Sequence, residues 1–161
     1  EDAGYAAGVD VSKDILKMAV VERHKNTRHI GIGYLKGYGL KSGAVATSVA
    51  HDSHNIICVG TNDEDMAFAV NRIARNRGGI VVVENGQVLA ELPLEIAGII
   101  SGKPLREVNT LLEDAKKAAH ALGVGTDIDP FMTLSFMSLP VIPTLRLTTR
   151  GVVDVNTQQY V

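Results

Sequence analysis

The chain has 161 residues, 45% of them hydrophobic and 21% charged, which fits one domain long enough to bury a core of its own. Its 16 basic and 18 acidic residues leave a net charge of −2, too weak a field to hold nucleic acid, and no apolar run nears the roughly 18 residues that cross a bilayer. With no basic-then-apolar leader, the expected setting is cytoplasmic. A first residue of Glu fits a piece of a longer protein, whether a cloned domain, a proteolytic product or a separate subunit. The single cysteine, Cys58, sits in an apolar run, so burial is expected for it and no intrachain disulfide is possible.

Residues 14–22 (DILKMAVVE) predict a strand that ends at the polar turn Arg23 to Thr27, and residues 30–35 predict its partner. The glycines that follow do not make a phosphate loop. Gly31-x-Gly33-x-x-x-Gly37 misses the dinucleotide spacing and no helix pattern follows, so bends and close strand approach explain them. Two apolar runs, 45–50 and 56–59, then flank His51-Asp52-Ser53-His54-Asn55. Two imidazoles and a carboxylate in one short loop suit metal ligation or proton transfer, with His51 and His54 as the candidate metal ligands. The plainer reading is a closed network in which Asp52 accepts from a histidine Nδ1–H while Ser53 and Asn55 cap the strand ends.

Thr61-Asn62-Asp63-Glu64 reads as a capping box that starts a helix striped by Met66, Val70, Ile73 and Ala74 and stopped at Gly78-Gly79. Its acidic start and its arginines at 72, 75 and 77 match the helix dipole, which explains Asp63-Glu64-Asp65 without a metal. Asn85-Gly86 between residues 80–83 and 88–92 predicts a tight hairpin. Pro104 opens a second helix with Leu105, Val108, Leu112, Ala115, Ala119 and Leu122 along one face, His120 as an exposed cation near its end, and Gly123 as its stop. The tail from Asp129 to Val155 is broken by Pro130, Pro140 and Pro143 yet rich in Phe, Met and Leu, so it must pack on this domain or on a neighbour. The whole predicts a single α+β layered domain with a mixed or antiparallel sheet, six to eight strands and about two main helices.

VAHDSHNIICVGTNDEDMA, GGIVVVENGQVLAELPL and DPFMTLSFMSLPVIP resemble the C-terminal domain of bacterial adenine deaminase, of the amidohydrolase superfamily, over about residues 17–155. The resemblance implies a hydrolase of purine metabolism that converts adenine to hypoxanthine and ammonia. It further implies a divalent metal (manganese or iron, or else zinc), an N-terminal barrel domain as partner, and a homo-oligomeric assembly. The barrel's metal ligands begin with a His-x-His pair, which this sequence lacks; its five histidines, at 24, 29, 51, 54 and 120, do not fit that pattern. The isolated chain is therefore expected to be inactive, with no catalytic residue assigned in it. The domain is expected to shape the active-site mouth or the domain or subunit interface, with His51, Asp52, Ser53, His54 and Asn55 as the loop facing the active site. Two alternatives stand beside this: a noncatalytic module for folding and assembly, and a self-contained metal hydrolase using His51, Asp52 and His54. The last is disfavoured because a catalytic zinc takes three protein ligands in a geometry that loop neighbours rarely reach alone.

Overall fold

A computed structural model describes residues 8–161. Strands buried at every position need cover on both faces, and those are the central ones. β3 (Ala44–Thr47) and β4 (Ile56–Gly60) are buried throughout, flanked by β1 (Ile15–Val21) and β5 (Gly79–Glu84). β2 (Ile30–Lys36) and β6 (Gln87–Pro93) close the two sides, where burial alternates or lapses. The order is β2-β1-β4-β3-β5-β6 and every pairing is antiparallel.

Each face has its own cover. α1 (Asp63–Arg75) lays Met66, Ala69 and Ile73 on Ala46, Cys58 and Val81. On the other face α2 (Leu105–Ala121), α3 (Pro130–Met137) and the small sheet of β7 (Leu145–Thr148), β8 (Gly151–Asp154) and β9 (Gln159–Tyr160) cover Leu16, Val20, Val45, Ile57 and Val82. Each fully buried Val or Ile here contributes roughly 1.5–3 kcal/mol. The layered α+β fold is thus as expected, with α3 and the small sheet added from the Pro-punctuated tail. α3 starts because Asp129 accepts from the N–H groups of Phe131 and Met132, with Pro130 pre-set for a first turn.

Several local expectations shift. The cap of α1 is Asn62, whose side chain accepts from the Asp65 N–H; the Thr61 hydroxyl instead reaches the Gly43 carbonyl at 3.3 Å. Asp65 is buried at the helix start, where its carboxylate takes the N–H groups of Asn85 and Gly86 at 3.1 and 2.7 Å and so fastens the hairpin to the helix. Leu105, on the predicted apolar stripe of α2, is 84% exposed. His120 is half-buried instead of exposed, with Nδ1 3.1 Å from the Val124 carbonyl, a tie at the helix end. Gly31 has the predicted close approach: a Cβ there would lie 1.8 Å from the Thr148 carbonyl oxygen, so β2 can meet the β7–β8 turn only as glycine. No described helix is long and apolar enough to cross a membrane.

Candidate functional site

The β3–β4 loop is placed by strand register. β1 and β4 pair with Val21 opposite Ile56, which sets the residues after β1 beside Asn55 and His54. Glu22 organises those residues. Its carboxylate takes the N–H groups of Thr27, Lys25 and His24, bonds that hold it well below the usual carboxylate range, at about 2, with Thr27 contributing most. The turn so formed aims Arg23 and His24 at the loop. Arg23 Nε donates to the His54 carbonyl at 2.5 Å, its terminal nitrogen to the Ala97 carbonyl at 2.7 Å, and its backbone N–H to Asn55 Oδ1 at 3.3 Å. His24 Nε2 lies 2.6 Å from the Ser53 carbonyl.

Inside the loop, the Ala50 N–H donates to His54 Nδ1 at 3.3 Å, so that nitrogen carries no proton and the ring proton sits on Nε2. Burial, then the neighbouring His51 and the Arg23 guanidinium, push the His54 pKa below its ordinary 6.5. A neutral ring is what the Ala50 bond requires. The His51 and His54 rings stand edge to face with centroids 5.6 Å apart, and the His51 ring also meets Phe136 of α3 at 5.6 Å. The His51 N–H reaches Ser135 Oγ at 3.4 Å, which ties the loop to α3.

The expected Asp52-to-histidine bond does not form. Asp52 is exposed, and none of the hydrogen bonds among the described residues ends on its carboxylate; His54 Nδ1 is already an acceptor. Ser53 and Asn55 do act locally, Ser53 Oγ accepting from the Asn55 N–H at 3.5 Å. Among the described residues no three His, Cys, Asp or Glu side chains gather as a metal site, so His51 and His54 have no third ligand. Cys58 is fully buried and burial pushes its thiol pKa up, which leaves it unreactive.

Beside the loop opens a cleft of about 440 Å³. It is lined by Asp52, Ser53 and Asn55 of the loop, by Ser138, Leu139, Pro140 and Val141 after α3, and by Val20, Thr148 and Thr149. The Ser138 hydroxyl is buried and has no hydrogen-bond partner among the described residues. Sequence reasoning missed Glu22, Arg23, Ser135, Phe136 and Ser138 as parts of this site. The β1–β4 pairing is the signal that would have placed Arg23, and it lies in long-range register, beyond any local motif.

A family model described as the adenine deaminase C-terminal domain matches residues 2–159. An adenine deaminase of Nitratidesulfovibrio vulgaris is 54% identical over 147 residues, 91% of this chain and 26% of that protein. One from Bacillus subtilis is 47% identical over 152 residues, 94% of this chain and 26% of that protein. An adenine deaminase 2 of Carboxydothermus hydrogenoformans is 53% identical over 156 residues, 97% of this chain and 27% of that protein. The chain thus spans about a quarter of the length of the curated relatives it matches.

Proposed function

Because the chain belongs to the adenine deaminase C-terminal domain family, we propose that it serves as one domain of an enzyme that hydrolyses adenine to hypoxanthine and ammonia. On this reading the other three quarters of the enzyme form a barrel that holds the divalent metal, whether manganese, iron or zinc, and activates the water. The residues described here do not fit that metal, since no three candidate ligands converge. This domain supplies the wall of the active-site mouth, and several copies assemble in the cytoplasm.

The observation that carries the reading is a polar loop joined to an uncovered apolar face. Phe136 packs on His51, and Phe136, Met132 and Val141 are 37%, 43% and 67% exposed at the same end of the domain. An apolar rim around titratable groups is what a docking surface beside a reaction centre looks like. The relatives' length supplies the occupant, the part of the enzyme outside this domain.

A second reading, that the loop is scaffold, draws on the way the Arg23 and His24 side chains grip its backbone carbonyls. Kinetics separate the two. In the full-length enzyme, His51→Ala, Asp52→Ala and His54→Ala should lower turnover per folded molecule by about 10-fold to 100-fold, the usual cost of disturbing groups that orient a site. Turnover within about twofold of the parent, with lowered melting temperatures, would make the loop scaffold.

A further inference from the structure

We infer that the outer edge of β2 receives an extended strand from the part of the enzyme that precedes this domain, an assignment that rests on the reading of the chain as one domain of a longer enzyme. β2 stands at the margin of the six-stranded sheet and, among the described residues, pairs only with β1. Its register runs unbroken from Ile30 to Lys36, with no bulge and no proline. The opposite margin is blunted. Its pairing shifts register between Val82 and Val83, β6 ends at Pro93, and α2 packs on it. A long, regular edge without such devices offers a row of main-chain N–H and C=O groups, the feature that recruits another strand.

The side chains along that edge agree. Ala19 and Val21 of β1 lie in the core under α1, and pairing sets Ile32 beside Ala19 and Ile30 beside Val21 on the same face. Both isoleucines remain 55% exposed, where a solvated margin would carry polar or charged groups. The apolar surface continues between β2 and α1 as a groove of about 350 Å³ lined in part by Ala19, Val21, Met66 and Val70.

Two observations select the occupant. A Cβ on Gly8 would lie 2.3 Å from the Tyr34 hydroxyl oxygen, so the main chain at residue 8 runs against this strand. The matching family is a C-terminal domain, and the chain covers 26% of the Nitratidesulfovibrio vulgaris relative, so the preceding part of such an enzyme arrives at β2. Charge is the second observation. Arg28 and Lys36 flank the strand, exposed and in no ion pair among the described residues. Two copies paired antiparallel along β2 would bring Arg28 of one toward Lys36 of the other, like charges that oppose the contact. A strand with apolar residues at alternate positions and carboxylates at its ends fits instead. Val21 pairs with both Ile30 and Ile56, which puts this end of the edge at the same end of the sheet as the His51 to Asn55 loop, so one body can meet both.

The test is hydrogen exchange, followed by mass spectrometry, on the 161-residue chain and on the full-length enzyme. The β2 amides that point away from β1 should exchange freely in the isolated chain at every concentration, and at least about 100-fold more slowly in the full-length enzyme. A benzophenone side chain in place of Ile32 should crosslink, in the full-length enzyme, to a segment that precedes this domain. Ile32→Lys, at an exposed position, should leave the melting curve of the isolated chain unchanged and cut the full-length protection by at least about tenfold. Equal exchange in the two proteins, protection that survives Ile32→Lys, protection that grows with the concentration of the isolated chain, or crosslinking to a second copy of β2 would each overturn the inference. A full-length enzyme that deaminates adenine with β2 unprotected would strike the docked strand alone. Protection of β2 in a full-length protein inert on adenine would strike the adenine reading and leave the docked strand in place.

Discussion

Replacing Arg23 with methionine keeps the apolar stem and removes the guanidinium that latches the loop. Two bonds disappear, from Nε to the His54 carbonyl at 2.5 Å and from the terminal nitrogen to the Ala97 carbonyl at 2.7 Å. A hydrogen bond from a charged donor contributes about 1.5–3 kcal/mol when buried. Arg23 is half-buried and Ala97 is exposed, so water replaces part of the loss and about 1–3 kcal/mol in total is expected. For a chain of this length each kcal/mol lowers the melting temperature by about 2–4 °C, which gives a drop of about 2–12 °C. The backbone bond from Arg23 to Asn55 Oδ1 is retained, so the loop should loosen around His54 without unfolding. Amide exchange at His54 should accelerate, and the His54 pKa should rise toward 6.5 because one of the charges depressing it has gone. Calorimetry, hydrogen exchange and an NMR titration measure the three effects. A melting temperature within about 1 °C of the parent, with unchanged exchange at His54, would refute the latch.

The depressed His54 pKa carries a pH dependence. As pH falls from about 7 through 6.5, the unfolded chain takes up the proton before the folded one, so stability should drop on acidification, and His54→Gln should flatten that part of the profile; an identical slope in the variant would contradict it. Asp65→Ala removes a buried acceptor for three donors, including Asn62 Nδ2 at 2.9 Å, and should cost about 2–4 kcal/mol in urea unfolding; less than about 0.5 kcal/mol would show the hairpin tie to be slack. The isolated chain supplied with manganese, iron or zinc should release no ammonia from adenine, and turnover of about 1 per second or more would revive the self-contained hydrolase.

Local signals in the sequence were the legible ones. Asn85-Gly86 has positive φ at both residues, 52° and 70°, because a two-residue hairpin needs them there, and no tertiary contact is required to predict it. The apolar runs at 45–50, 56–59 and 80–83 coincide with β3, β4 and β5. α3 hid because it is apolar nearly all round, with Phe131 and Leu134 in the core while Met132 and Phe136 face outward, so no helical stripe shows in Pro130–Met137. The α1 start slipped by one residue since Thr61 and Asn62 are both good caps, and only the fold's demand that Thr61 bond Gly43 decides between them. The His51 to Asn55 loop stood out by composition. Its partners did not, because Arg23 reaches it through strand pairing and Ser135 and Phe136 reach it across 80 or more residues of chain.

A structure of the full-length enzyme tests the central claim most directly, through the position of this domain against the proposed metal-bearing remainder. The account predicts that the His51 to Asn55 loop and α3 face the metal centre, with Phe136 and Val141 buried at the junction. A domain docked by another surface, with the loop in open solvent and Phe136 still exposed, would contradict it.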